Sequence, residues 1–309
     1  MSDRLRPGDV VEVKTPDEIL STLDADGTLD HLPFMPEMIE FCGNWFRVSS
    51  RVLKTCMSGS GSSEIRGLRT SDVVTLDGLR CSGASHDGCQ KECMIFWREA
   101  WLRKIDGAAS ISNTAAAASC KLRARLKTLG APGKYFCQAS QLTEFTRPMS
   151  RFAKLRMCWR DIRSGNCGAM EMIERIGVWL FWRIRLILLG KYARGRNKTT
   201  PRESLNLTRG EQVEVKPIRE IVRSTNDHAQ NRGLCFSDDM QMLCGQGAVV
   251  RSHLDKIILD GTGEMRQLRN TVYLEGATCG CAHVAFGGCP RGEYAYWREI
   301  WLRRKNNPG

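Results

Sequence analysis

No Cys-x-x-Cys pair occurs anywhere in this 309-residue chain, so the usual zinc-ribbon knuckle is missing. His-Glu-x-x-His, Walker A and Gly-x-Ser-x-Gly motifs are also absent, which removes the direct signatures of zincins, P-loop enzymes and α/β-hydrolases. The opening Met-Ser-Asp-Arg-Leu-Arg-Pro-Gly-Asp has no apolar stretch of the kind an export signal needs. The longest apolar run, 176–189, is interrupted by Arg183 and Arg185, too short and too charged to span a bilayer. These absences point to a cytoplasmic protein, peripheral to a membrane at most. In that reducing setting its 14 cysteines are thiols or metal ligands rather than structural disulfides.

What the chain does have is an internal duplication. Leu5, Gly8, Val11, Glu12, Val13 and Lys14 recur 202 positions later as Leu207, Gly210, Val213, Glu214, Val215 and Lys216. The same offset pairs Ile19 with Ile221, Phe34 with Phe236, Met38 with Met240, Cys42 with Cys244 and Lys54 with Lys256. After a short length difference, Val74, Leu76 and Gly78 match Val272, Leu274 and Gly276. Trp97, Arg98, Glu99, Trp101, Leu102 and Arg103 match Trp297, Arg298, Glu299, Trp301, Leu302 and Arg303. So ordered a match implies two homologous domains. The expected organisation is a first repeat over 1–106, a middle segment over 107–204 and a second repeat over 205–305.

Within each repeat, apolar and polar residues alternate at Val11-Glu12-Val13 and Phe46-Arg47-Val48, as in half-buried strands, with Gly8, Gly43 and Gly78 at the turns between. Residues 16–20 and 218–222 read as one short helix in each copy, with Thr15 as a cap in the first, and Pro36 starts a further helical turn. The order Gly-x-x-Val-x-Val, a Pro-Met segment, a glycine, a Phe-x-Val strand and a closing Trp-x-Glu resembles the SH3-like barrel of nitrile hydratase beta subunits. The paired arrangement is similar to an uncharacterised group of bacterial tandem-repeat proteins. The resemblance implies a barrel topology and carries no catalytic residue. The expected fold is therefore mainly β with α: two SH3-like small barrels flanking a basic helical middle.

That middle holds the charge. Residues 115–203 contain 19 Lys and Arg against 5 Asp and Glu, a net of +14, while the whole chain is +12 and the remainder therefore −2. Arg147, Arg151, Lys154, Arg156, Arg160 and Arg163 recur every two to four residues, with Trp159 among them and Trp179 and Trp182 further along. Such a surface suits nucleic-acid phosphates or acidic lipid headgroups, with 176–189 lying in a membrane interface and its arginines snorkelling. The preferred reading of that run is plainer: a helix packed between the two barrels.

The cysteines suggest metal. Cys42/Cys244, Cys81/Cys279 and Cys89/Cys289 are shared by the repeats; Cys56 and Cys93 belong to the first, and Cys235, Cys281 and His283 to the second. Cys56, Cys81, Cys89 and Cys93 form one candidate ligand set for zinc or an iron–sulfur cluster, the last three in a Gly/Ser/Asp loop where a core residue looks out of place. Cys279, Cys281 and Cys289, with His283 or Cys244 fourth, form another. The competing reading is that these are small apolar core side chains, as Cys42 and Cys244 look to be, and Cys120, Cys137, Cys158 and Cys167 read as plain thiols. Ser85-His86-Asp87 holds triad residue types, but triads are assembled in space, and His86 is better placed as a ligand or supporting contact beside Cys89. The repeated Trp-Arg-Glu-x-x-Trp reads as a core anchor, with Glu99 and Glu299 as bases only if buried. The leading expectation is a metal-binding tandem-repeat protein, a metalloenzyme or enzyme accessory with its site near the repeat interface. The alternative is a scaffold that binds nucleic acid or an acidic membrane through the basic middle.

Overall fold

In the computed structural model, which describes residues 4–58, 63–105, 116–190, 193–237, 239–279 and 291–305, the first alternating segment is strand β1 (Val10–Val13), with Val11 and Val13 fully buried. Thr15 caps α1 (Pro16–Leu20): its hydroxyl accepts from the Glu18 N–H, and the Glu18 carboxylate accepts from the Thr15 N–H at 3.0 Å. Short strands β2 (Thr28–Leu29) and β3 (Leu32–Pro33) lead into a 3-10 turn over Pro36–Phe41. There follow β4 (Trp45–Arg51), β5 (Lys54–Ser58), β6 (Ser63–Leu68), β7 (Val73–Arg80), β8 (Met94–Arg98) and β9 (Leu102–Lys104).

The middle contributes α2 (Ala116–Arg125), α3 (Leu142–Phe145), β10 (Thr146–Pro148), α4 (Arg151–Arg163) and α5 (Ala169–Leu189). The second repeat contains β11 (Gln212–Val215), α6 (Ile218–Val222), β12 (Gln230–Asn231), β13 (Leu234–Cys235), β14 (Gly247–His253), β15 (Lys256–Ile258), β16 (Met265–Gln267), β17 (Thr271–Leu274), β18 (Trp297–Arg298) and β19 (Leu302–Arg304).

Two five-stranded antiparallel sheets carry the duplication: β8-β7-β4-β1-β9 and β18-β17-β14-β11-β19. Their registers correspond residue for residue. Val10 faces Arg47 as Gln212 faces Val249, and the register shift between Val48 and Ser50 recurs between Val250 and Ser252. Each sheet is strongly curled. Its edge strands β8 and β9 are linked only by the 3-10 turn Glu99–Trp101, which can reach roughly 14 Å. A flat five-stranded sheet would separate them by roughly 19 Å.

The concave side is filled by the repeated tryptophans. Phe34 meets Trp101 edge-to-face at 5.2 Å and 88°, as Phe236 meets Trp301 at 5.2 Å and 88°. The indole N–H of Trp101 donates to Thr22, and that of Trp301 to Ser224, each at 3.1 Å. Trp97, Trp101, Trp297 and Trp301 are all fully buried, so the motif anchors the core of each repeat.

Two expectations need correction. Helix accounts for 26% of residues and strand for 29%, so the protein is mixed α and β rather than mainly β. The excess helix is the α4–α5 pair. Nor is the middle wholly helical. Between α2 and α4 it packs into the first repeat: β10 pairs with β6, and the Gln138 amide bonds both the N–H and the carbonyl of Phe96. Leu122, Cys137, Leu142 and Phe145 complete the first core. Among the described residues no helix is long and apolar enough to cross a membrane.

Candidate functional site

The second repeat packs against the cysteine loop between β7 and β8, where Cys89 and Lys91 are buried while Ser82, Ala84, Asp87 and Gly88 stay exposed. Gly83, with φ +67°, lets the loop close so tightly that a Cβ there would lie 2.0 Å from the Cys89 carbonyl oxygen. The β15–β16 hairpin then docks on the loop. The Gln90 N–H donates to the Lys256 carbonyl at 3.0 Å, the Asp255 N–H to the Gln90 side-chain oxygen at 2.6 Å, and the Ile258 N–H to Cys89 Sγ at 3.3 Å. Ile258 thereby joins the first repeat's core.

Beneath this contact lies a cluster of buried charges that the sequence reading missed. The Arg291 guanidinium grips both oxygens of Asp260, at 2.9 and 3.0 Å, and Lys91 reaches the same carboxylate at 2.5 Å. Glu293 Oε1 lies 2.5 Å from Arg291 Nη2 and 3.3 Å from Lys91 Nζ, contacts of charge that lack hydrogen-bond alignment. All four groups are buried. Burial would push the Asp260 carboxyl up, but Arg291 and Lys91 hold it well below the usual range; burial prevails at Glu293, which is raised. One signal could have revealed the cluster. At the closing offset of 200, Lys91 and Arg291 are the same position of the two repeats, as are Cys93 and Glu293. The repeats thus meet through equivalent residues, as two copies of one subunit would across a twofold axis.

The candidate ligand residues are distributed around this joint. Cys81 and Cys93 are tied by their backbones, the Cys81 N–H donating to the Cys93 carbonyl at 2.8 Å. Cys89 Sγ faces Ile258, Cys93 Sγ accepts from Arg291 at 3.8 Å, and the Cys56 carbonyl accepts from Arg291 at 2.8 Å. Among the described residues no group of three or more His, Cys, Asp or Glu is placed to hold a metal ion. Cys56, Cys81, Cys89 and Cys93 are therefore not gathered into a coordination sphere. The physical reason is packing: Cys56 and Cys89 are buried, and Cys81 and Cys93 pack against the first core. Burial pushes the Cys93 thiol up to about 12 despite Lys91 and Arg291, and raises Cys81 further, so both are protonated at neutral pH. Cys279 is exposed; Cys281, His283 and Cys289 lie outside the described residues. Cys244 is half-buried.

His86 is engaged elsewhere than beside Cys89: its ring nitrogens lie 2.7 Å from Glu37 Oε1 and 3.0 Å from the Phe136 carbonyl. Burial alone would raise the Glu37 carboxyl, yet the hydrogen bond and charge of His86 keep it below its ordinary value.

The α4–α5 hairpin is the other notable surface. Its root is fixed to the first repeat: Lys54 pairs with Asp161 of α4, and Asn166 exchanges hydrogen bonds with the Arg51 backbone at 2.8 and 2.9 Å. The helices hold each other through a small cluster of Cys158, Cys167 and Met172, with Ile162 and Ile176 against it. Beyond that root nothing covers them among the described residues. Phe152 (82% exposed), Leu155 and Trp159 (65%) line one face of α4, and Ile173, Phe181, Ile184 and Ile187 (77%) are exposed on α5. The expectation that 176–189 packs between the two domains is thereby overturned. The joint is built instead from the cysteine loop and β15–β16. Basic groups accompany the apolar ones, with Arg183 over the Trp179 ring at 5.8 Å and Arg185 over Trp182 at 5.5 Å.

Comparison with known proteins adds no further assignment: no family model, curated protein or solved structure matches this chain.

Proposed function

We propose that this protein is a peripheral scaffold that attaches to an anionic membrane surface through the α4–α5 hairpin. The observation that carries this reading is the uncovered apolar face of that hairpin, set among arginines and tryptophans. Contiguous exposed apolar surface of this kind marks an interaction site. Tryptophans and snorkelling arginines suit the headgroup boundary, where ring or stem is dry and the polar end is wet. Withdrawing one large apolar side chain from water is worth roughly 1.5–3 kcal/mol. A Lys or Arg near an anionic leaflet contributes about 1 kcal/mol. Apolar insertion therefore supplies most of the affinity, and charge selects the surface. Nucleic acid would draw on the arginines but leave Phe181, Ile184 and Ile187 in water.

Flotation of the full chain with phosphatidylserine-containing vesicles tests this. Association is expected with these vesicles and much less with purely zwitterionic ones, persisting in part at high salt. Phe181→Glu combined with Ile187→Glu should lower partitioning by about tenfold or more without changing the melting temperature. No flotation, or flotation indifferent to that pair, would defeat the reading. Steeply salt-dependent RNA binding would favour the nucleic-acid alternative.

Two finer readings belong with the proposal. The curl of each sheet, closed by a 3-10 turn between edge strands, supports an SH3-like barrel for each repeat. A zinc or iron–sulfur centre draws no support from the described cysteines; it would rest on the second-repeat set, and elemental analysis of reductively purified protein would detect it.

A further inference from the structure

At the root of the hairpin, where the last turn of α4 meets the N-terminal segment, lies an open pocket of about 240 Å³. Five of its lining side chains are arginines: Arg4, Arg6, Arg51, Arg160 and Arg163, and among the described residues no carboxylate lines it. Arg51 is the buried member, with its guanidinium held by Glu99 at 2.6 Å and by the Leu5 and Ser71 carbonyls. The other four form no ion pair among the described residues. Of the acids close by, Glu99 is committed to Arg51 and Asp161 to Lys54. Arg160 is held below its ordinary pKa by burial and by the like charges of Arg156, Arg147 and Arg4.

Two ordinary explanations fall short. Cations in the last turn of a helix complement its dipole, but that end carries only about half an elementary charge. Arg160 and Arg163 already exceed it, and Arg4 and Arg6 come from outside the helix. Solvated arginines on a convex surface would spread apart, whereas these converge on one concavity anchored by a buried guanidinium. Converging guanidinium groups without acids are the arrangement that binds phosphate, because each can donate paired N–H bonds to its oxygens.

We infer that this pocket is a binding site for a phosphate monoester or pyrophosphate group, borne by a lipid headgroup or by a soluble ligand. It goes beyond the membrane reading and does not depend on it, since the pocket sits beside the apolar face rather than on it. A dianionic group would offset about half of the unpaired positive charge, and Ser164 also lines the pocket.

Calorimetric titration of the full chain with inorganic pyrophosphate is the direct test. Saturable binding is expected, weakened about tenfold or more by Arg4→Ala combined with Arg163→Ala. Both residues are exposed, so the melting temperature should not move; Arg160→Gln serves as a second variant if it does. Flotation on vesicles of phosphatidic acid or of phosphatidylserine, matched in total charge, distinguishes the sources. A preference for the monoester lipid that is lost in the double variant identifies a headgroup. Pyrophosphate binding without such a preference identifies a soluble ligand. No saturable pyrophosphate binding together with no monoester preference, or binding unchanged in both variants, overturns the inference. Failure of the hairpin reading would show separately, in the Phe181 and Ile187 variant.

Discussion

Glu99 and Glu299 occupy the same place in the two repeats, yet their charge is matched in different ways. In the first, Arg51 reaches Glu99 at 2.6 Å and the Leu5 N–H donates to it at 3.2 Å. In the second, position 253 replaces Arg51 with a histidine 3.4 Å from Glu299. The chain there wraps the acid instead: the N–H groups of Leu205, Asn206 and Leu207 donate to it at 2.7, 3.2 and 3.1 Å. Arg98 and Arg298 diverge likewise. Arg98 faces the carboxylates of Asp30 and Asp72, whereas Arg298 donates to the carbonyls of Arg269 and Arg232. Duplication has thus kept each charge while exchanging what satisfies it. The constraint is that the charge be satisfied, not that a given partner do so.

The largest expected effect lies where the two copies meet. Asp260→Asn would leave Lys91 and Arg291 facing each other in the joint and should destabilise the protein by about 3–5 kcal/mol in urea unfolding. Glu293→Gln should cost far less, because burial already raises that carboxyl. The Asp260 carboxyl is depressed when folded, so its contribution is present above the ordinary carboxyl value near 3.8 and is lost as pH falls below about 4. Wild-type stability should fall over that range, and Asp260→Asn should lack that part of the slope.

A smaller effect tests the exchange of partners itself. Arg51→His, copying the second repeat into the first, should cost about 2–3 kcal/mol, since Glu99 has only the Leu5 amide to take over. The counterpart His253→Ala should cost under about 1 kcal/mol, because backbone donors already hold Glu299. A comparably small change is at the cap. Thr15→Ala should destabilise by about 1 kcal/mol. The second repeat has Pro217 at that position, with no side-chain cap to lose.

Much of the repeat architecture was legible because it is local. Val-x-Val alternation, Thr15 three residues before Glu18, and the Trp-Arg-Glu-x-x-Trp closure are short-range patterns, and β1, the capping box and the buried tryptophans stand at those places. The cysteines misled for the opposite reason. Spacing along a Gly/Ser/Asp loop says nothing about what lies on top of it, and the β15–β16 hairpin, some 165 residues away, packs onto Cys89 and Lys91. The same limit applied to 176–189. An apolar run signals burial against something, and whether the cover is protein or another phase is not written in the run.

The amino-acid sequence by itself determined the twofold ancestry, the strand pattern of each repeat and the segregation of positive charge into 115–203, since each follows from residue order alone. Tertiary structure alone decided that Lys91 and Arg291 share one carboxylate, that five arginines converge at the hairpin root and that α5 stands uncovered. Those outcomes depend on how distant segments fit together, and fit is set by shape and desolvation across the whole chain.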